Sequence, residues 1–331
     1  MFFIGIDVSK KKLDVVVLLE PDTLKKRQKK VPNTPEGFQT LITWCQKQTG
    51  AAPGELHAVM EATGPYHEAL AYALHEAGLV VSVVNPKAVK DFAKGLGIKA
   101  KNDAMDALTI ARFGVLTQPR PWQPEPAEVR HLNALLKRVA AVETDLQRER
   151  NRLEKARLSQ PRAASVIASL ERGIAFLEAE QRRLQQTIDD HIARHPQLKK
   201  DRQHLLSIPG IGPVLAGLMV ALLQSGHRFT SAAQFASYLG VIPTEHESGS
   251  SVRHRPHLSK LGPARVRAKL YMAAIVACHH NPDVRTFYER LLKRGKCKMA
   301  ALGAAMRKLA HICFGVIKNQ TDFQPQTAQQ A

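Results

Sequence analysis

The sequence lacks what a membrane protein or a disulfide-stapled secreted protein would show. Its four cysteines, Cys45, Cys278, Cys297 and Cys313, are scattered, with no CxxC pair and no zinc-like rhythm. Neither a disulfide framework nor a thiolate metal site is therefore expected, and we read all four as buried thiols in a reducing compartment. No apolar run approaches the ~20 residues that a membrane span needs. The longest, at 214–223, reads VLAGLMVALL. The opening MFFIGIDVSK has no basic leader and no cleavage site, and it meets an aspartate at position 7, so no signal peptide is expected. Acidic residues are scarce. Twenty-nine Asp and Glu stand against 48 Lys and Arg, for a net charge of +19 and a pI near 10.0. Such an excess repels itself unless a polyanion neutralises it, which makes nucleic acid the expected partner. An anionic membrane surface is the rival, weakened by the missing span. The protein is expected in the cytoplasm.

What is present is enough for two or three domains. The chain has 331 residues, 44% of them hydrophobic, which is ordinary for a globular protein and too rich for wholesale disorder. Residues 1–122 read as an α/β domain. Short apolar strands at 2–7, 13–19, 56–60 and 79–84 alternate with helices, one opening at Thr34-Pro35-Glu36 and another after Ala62-Thr63-Gly64-Pro65-Tyr66. A basic stretch, KKRQKK at 25–30, leads into the first helix. Strands separated by helices predict a mixed, three-layer sheet. Prolines 119, 121, 124 and 126 interrupt regular structure and mark a boundary, with Trp122 expected to anchor the linker. Residues 123–199 carry Leu132, Leu135, Val139, Val142 and Leu146, then Leu170, Ile174, Leu177, Leu184, Ile188 and Ile192, at spacings of three and four. They predict a coiled-coil helical hairpin broken at Gln160-Pro161, serving as a spacer or in self-association. Residues 200–320 read as a mainly helical domain, and 321–331 as a disordered tail.

Four acids in the first domain stand out by position. Asp7 follows the first strand's apolar residues, Glu61 ends a second strand in MEATG, and Asp103 and Asp106 share one helix face in KNDAMDA. Converging carboxylates repel one another unless a cation lies between them. Hard oxygen ligands of this kind suit Mg²⁺, with two ions expected, able to activate a nucleophile and stabilise a leaving oxygen. Each acid alone has a plainer reading as a turn residue, a helix cap or a dipole partner. Asp14, Glu55 and Asp91 read as solvated. Strand-Asp, strand-Glu and helix-DxxD together match the layout of the ribonuclease-H-like (RuvC-like) nuclease fold. Gly5-Ile6-Asp7 also begins sugar kinases and actin-like ATPases, but Val8-Ser9-Lys10 replaces their phosphate-cradling turn and no second Gly-rich loop follows.

In the third block, Ile208-Pro209-Gly210-Ile211-Gly212 resembles a helix-hairpin-helix turn, in which Gly210 and Gly212 would let the backbone approach a DNA phosphate. The alternative is a tight turn with no ligand. Ser248-Gly249-Ser250-Ser251 leads into a basic region. From 253 to 298 there are 12 Lys or Arg and two acids, including the candidate nucleic-acid contacts Arg253, Arg255, Lys260, Arg265 and Arg267. A Ser/Gly segment in such a field can hold a phosphate and stabilise charge on it. A serine hydroxyl is a weak nucleophile until a metal, base or cationic field activates it. Residue chemistry leaves Ser248, Ser250 and Ser251 equivalent.

GIDVSK, MEATGPY, KNDAMDA, SIPGIGP, FASYLGVIP, ESGSS and SKLGPARVRAKLYMAA follow one another across nearly the whole chain. In that order they resemble the insertion-sequence transposases with a DEDD N-terminal domain and a serine C-terminal domain, the RNA-guided bridge recombinases. The resemblance implies that Asp7, Glu61, Asp103 and Asp106 are catalytic, metal-binding acids. It implies that Ser248 is the nucleophile forming a covalent phosphoserine with DNA. It further implies a guide (bridge) RNA paired to target and donor DNA, a tetramer built as a dimer of dimers with composite active sites, and a place at the bacterial nucleoid. Asn102 stands where Thr is commoner in that family, and Pro263 where Asn often stands. The competing functions are a metal-dependent junction endonuclease using water, with Ser248 structural, and a non-catalytic DNA-binding protein.

Overall fold

A computed structural model describes residues 1–20, 25–97, 103–160, 162–225, 229–244, 247–248, 252–253 and 257–325. Contacts divide the chain into two compact units, Met1–Pro124 and Glu125–Ala331.

The first unit is built on one five-stranded sheet. Its strands are β1 (Phe2–Val8), β2 (Lys12–Glu20), β3 (Lys25–Pro32), β4 (Leu56–Glu61) and β5 (Val80–Val84), in the order β3-β2-β1-β4-β5. β1, β2 and β3 pair antiparallel, while β1, β4 and β5 run parallel. The basic stretch at 25–30 is thus not a connector but the edge strand β3, paired residue by residue with β2. Its charges hid a strand signal that would otherwise come from β-branched residues. An edge strand tolerates them because its outer side faces solvent.

Four helices cover the sheet: α1 (Pro35–Thr49), α2 (Glu68–Glu76), α3 (Pro86–Gly95) and α4 (Asp103–Thr117). The expected start of α1 is present, with the Thr34 hydroxyl accepting the Gly37 amide and Gly50 closing the helix in the left-handed region at φ 67°. Alternate strand residues feed opposite faces. Ile4, Ile6, Leu13, Val15, Val17, Ala58 and Met60 pack against Phe38, Leu41, Leu70 and Leu74. On the other face Val16 and Leu18 meet Ala107 and Ala111 of α4, and Val59 meets Ile110. Trp122 closes the unit, its amide bonded to the Val81 carbonyl at 2.7 Å and its ring edge-on to Tyr72.

Two glycines set how closely α4 lies on the sheet. A Cβ at Gly5 would overlap the Ala107 carbonyl oxygen and the Ala111 amide nitrogen, and one at Gly114 would come within 2.8 Å of the Phe3 and Val59 side chains. Glycine in a strand commonly marks such a close backbone approach. Gly5→Ala is therefore expected to destabilise the protein by at least ~1–3 kcal/mol, the usual range for overpacking. Gly54, which has open space where a Cβ would point, should tolerate Ala with a change within about 0.5 kcal/mol. Urea unfolding midpoints of the two variants check the contrast.

The second unit is helical. α5 (Ala127–Leu158) and α6 (Ala164–Arg194) are 32 and 31 residues long. Arg157 pairs with Glu171, Arg150 with Glu178, and Glu128 accepts from His191, a descending register that makes the two helices antiparallel. Their lower halves share a core with α7 (Pro196–Leu206), α8 (Pro213–Gln224), α9 (Ala232–Tyr238), α10 (Ala264–His280), α11 (Pro282–Lys293) and α12 (Lys298–Asn319). The break expected at Gln160-Pro161 falls between α5 and α6. Helix α12 passes for a membrane span by length and composition, but half of its apolar window is buried and Leu309, Ala310 and Cys313 are fully enclosed. The chain beyond residue 320, expected to lack structure, begins held in place. The Phe323 amide donates to Ser207 Oγ at 2.7 Å, and Asp322 meets His204. Cys45, Cys278 and Cys313 are buried free thiols as expected, whereas Cys297 is exposed ahead of α12.

Candidate active site

The first unit brings its acids together by register. Ile4, Gly5 and Ile6 of β1 stand beside Ala58, Val59 and Met60 of β4, so one step further Asp7 stands beside Glu61. Both occupy the face that α4 covers, where Gly5 and Val59 precede them two residues back. The contact of Gly5 with Ala107 seats the first turns of α4 on this same end, and Asp106, exposed, immediately precedes Ala107. The electrostatics agree. Burial pushes the Glu61 carboxyl above its usual range, and the charges of Asp7 and then Asp106 push it further. Asp7, Glu61 and Asp106 thus converge at the ends of two parallel strands. Asp103 opens α4 one turn earlier, and its side chain lies outside the described residues.

A half-buried carboxylate held near two like charges favours either a proton or a cation. The donor set is all hard oxygen, which suits Mg²⁺ rather than a thiophilic ion. Among the described residues no three carboxylate, imidazole or thiol groups already sit close enough to hold an ion.

Asp14 was expected in solvent and is not there. It lies opposite Asp7 in the β1–β2 register, is 4% exposed, and is paired with Lys12 at 3.2 Å and Lys30 at 3.1 Å. The sequence signal for it was its even spacing from Val16 and Leu18 on a strand that is buried continuously from Leu13 to Leu18.

In the second unit Ser248 ends the two-residue strand β7 (Glu247–Ser248), which pairs with β8 (Val252–Arg253) and places Ser248 opposite Val252. A second pair, β6 (Pro243–Thr244) with β9 (His257–Leu258), lies outside it in sequence. Ser248 is therefore carried on a short-strand excursion between α9 and α10, within a block expected to be mainly helical. Ser250, Ser251 and Arg255 lie outside the described residues.

The base of this excursion is fixed by the chain's own groups. Cβ atoms at Gly240 and Gly262 would overlap the carbonyls of Leu261 and Tyr238, and both glycines have positive φ, 69° and 87°. Arg267 donates to the Leu239 carbonyl at 3.2 Å and to that of Leu261 at 3.3 Å. Arg265 donates to Glu143 and to the Leu136 carbonyl, joining α10 to α5. These two arginines thus spend donors on protein contacts, while Lys260 is exposed at φ 54°. Gly210 sits at φ 102° against α10, where a Cβ would meet Ala273 and Ala277 at 2.9–3.0 Å. Gly212 caps the start of α8 with open space around it.

Sequence comparisons agree across both units. Residues 4–159 match the DEDD transposase family, described as "Transposase", and residues 202–289 match the family described as "Transposase IS116/IS110/IS902 family". The chain is 31% identical over 322 residues to the pilin gene-inverting protein of Moraxella bovis, covering 97% of each. It is 27% identical to a probable family 20 transposase of Pseudomonas aeruginosa, over 80% of this chain and 85% of that one. To the transposase for insertion sequence element IS1111A of Coxiella burnetii it is 25% identical, over 74% of this chain and 73% of that one.

Proposed function

The chain belongs to the IS116/IS110/IS902 family of transposases, and on that premise we propose that it is the site-specific recombinase of an insertion sequence, using Ser248 as nucleophile and the acids Asp7, Glu61, Asp103 and Asp106 as its metal-binding site. The observation that supports this reading most is the meeting of Asp7, Glu61 and Asp106 at one end of the sheet, with the Glu61 carboxyl held above its usual range. The sheet's strand order and directions fit a ribonuclease-H-like (RuvC-like) domain, and the α5–α6 pair fits a coiled-coil hairpin.

The Ser248 hydroxyl attacks the scissile phosphodiester. The Ser248 oxygen–phosphorus bond forms, the phosphorus–deoxyribose oxygen bond breaks, and the leaving oxygen takes up a proton. Bond energy is thereby kept in a protein–DNA linkage, which a second DNA end reverses to rejoin the strands. Mg²⁺ bound by the four acids would supply charge neutralisation at the reacting phosphate. The carboxylates orient that charge. The strand excursion between α9 and α10 presents the serine, and Arg267 with Gly240 and Gly262 fixes its base. A guide RNA supplies the address in target and donor DNA, with the protein acting as a dimer of dimers in the bacterial cytoplasm at the nucleoid. Gly210, Gly212, Arg253, Arg255, Lys260, Arg265 and Arg267 are the proposed nucleic-acid-facing set. Among the members whose side chains the structure describes, the bonding above leaves Lys260 and Gly212 the most freedom to meet a phosphate.

The net charge of +19 leads to a direct test of nucleic-acid binding. Affinity for a labelled duplex should fall steeply with salt, because each phosphate contact releases condensed counterions at about 0.9 units of log–log slope. Anisotropy titrations between low and physiological salt should give a slope of several units. A slope near zero would refute the nucleic-acid reading.

A further inference from the structure

Across the sheet, on the face covered by α4, one row of side chains runs from the edge inward. Lys30 of β3 stands opposite Asp14 of β2, Asp14 stands opposite Asp7 of β1, and Asp7 stands beside Glu61 of β4. The acids of the candidate active site thus continue into a charge-paired group whose outer member is a cation. Lys12, two residues before Asp14 on the same face, also pairs with it, so the group Lys12–Asp14–Lys30 carries one net positive charge.

A buried carboxylate at this position has no simple role in the fold. Its same-face neighbours Val16 and Leu18 are core residues, and an apolar side chain would serve the packing without desolvating a charge. A second carboxylate opposite Asp7 also adds repulsion to a site already rich in it. What Asp14 does is hold two ammonium groups. Lys30 is tethered at 3.1 Å although its side chain is 65% exposed, so a long, rotamer-rich chain is given one direction. Beside it lies a cavity of about 190 Å³, lined by Asp14, Gln28, Lys30 and Ala107 among others. Ala107 is the residue following Asp106, so the cavity borders the acid cluster. Strands are about 4.8 Å apart, which puts the Lys30 backbone roughly two strand spacings, near 10 Å, from that of Asp7. Lys30 thus stands beside the acid cluster rather than within it, the place for a phosphate neighbouring the scissile one.

We propose that Lys30 and Gln28 form a phosphate subsite that holds the DNA strand next to the scissile position, with Asp14 as the positioning residue that aims Lys30. This rests on the reading of the acid cluster as the strand-cleaving site. The strand enters over the β3 edge, and the ammonium of Lys30 and the amide of Gln28 donate to one phosphodiester. Lys12 balances the charge of Asp14, so that of Lys30 is left for the phosphate.

The test is anisotropy of a fluorescent DNA duplex, in Ca²⁺ to block chemistry, across a salt series. The proteins are wild type, Lys30→Ala, Lys30→Arg, Asp14→Asn and Arg27→Ala. Arg27 is on the same strand, is exposed, and projects from the opposite face, so its loss removes an equal charge elsewhere. Lys30→Ala is expected to weaken binding about three- to tenfold and to lower the salt slope by about one unit. Lys30→Arg should keep the slope, Asp14→Asn should weaken binding less than Lys30→Ala, and Arg27→Ala should change little. Equal losses at Lys30 and Arg27 would overturn the proposal, because they would mean a diffuse charge effect. An unchanged slope in Lys30→Ala at unchanged thermal stability would overturn it too. So would a change seen with a labelled RNA hairpin and not with DNA. Should Asp14→Asn not fold, the comparison of Lys30→Ala with Lys30→Arg decides alone, since Lys12 still pairs with Asp14 in both. A wild-type slope near zero would instead count against nucleic-acid binding as a whole.

Discussion

Glu61→Gln is expected to lower strand cleavage and exchange by on the order of 10³-fold or more, as losing a ligand from a catalytic metal site removes several kcal/mol of transition-state stabilisation. The same change should raise the stability of the metal-free protein at neutral pH. Ionised Glu61 is disfavoured first by burial and then by Asp7 and Asp106, and glutamine carries none of that charge. The sign follows from linkage. Because the folded carboxyl titrates above its ordinary value of 4.5, the folded state binds the extra proton, so wild-type stability declines as pH rises from about there through the raised pKa. The advantage of the variant should therefore be small at low pH and full above that range. At about 4 °C per kcal/mol for a unit of this size, thermal melts can resolve it. Added Mg²⁺ should stabilise wild type by mass action and the variant much less. Asp7→Asn and Asp106→Asn should lose cleavage and exchange in the same way. Asp103→Asn should lose activity too, and a sharp fall in its apo melting temperature would identify it as the structural cap of α4 instead. A Glu61→Gln enzyme with full activity would remove that residue from the site.

The second large effect concerns Ser248. Ser248→Ala takes one oxygen from the last residue of a two-residue strand and leaves its backbone pairing in place, so the fold should lose little. Strand exchange should nevertheless fall to background while DNA affinity stays within about twofold of wild type, since one neutral hydroxyl contributes little to phosphate binding. Ser250→Ala and Ser251→Ala should retain exchange, slowed where their hydroxyls help to orient the phosphate. The readout is recombinant product from paired donor and target DNA, with anisotropy on the same preparations. Equal loss of binding and exchange in Ser248→Ala would make the residue a contact. Retained exchange would make it structural.

Much of the first unit was legible because its periodicities are clean. The short apolar runs of β1 and β4 and the Thr34-Pro35 helix start follow from burial of both strand faces and from capping, and both signals are local. The edge strand β3 was not legible. Six consecutive polar residues carry no burial pattern, and only the pairing with β2 makes them a strand. Asp14 was misplaced for a related reason, since the helix over its face of the sheet is α4, which follows three strands and three helices later in the chain. Gly5 did carry a signal, a glycine inside an apolar strand, whose meaning needed the helix that lies on it. In the second unit Arg265 and Arg267 looked like part of a basic surface. Their bonds to Glu143, Leu136, Leu239 and Leu261 join segments far apart in the chain, which a count of charges does not register. The small strands around Ser248 are two residues each, shorter than any alternation can reveal.

The most direct test of the account is the chemical identity of the linkage between protein and DNA. Wild-type protein, guide RNA, Mg²⁺ and end-labelled DNA would be stopped with denaturant. The shifted band would then be digested with trypsin and nuclease, and the modified peptide sequenced by mass spectrometry. The account predicts a protease-sensitive adduct bearing a nucleotide phosphate on Ser248, and none in Ser248→Ala. Cleaved DNA with no adduct in the wild type would contradict it in favour of water attack, and a phosphate on any other residue would contradict the assignment of Ser248.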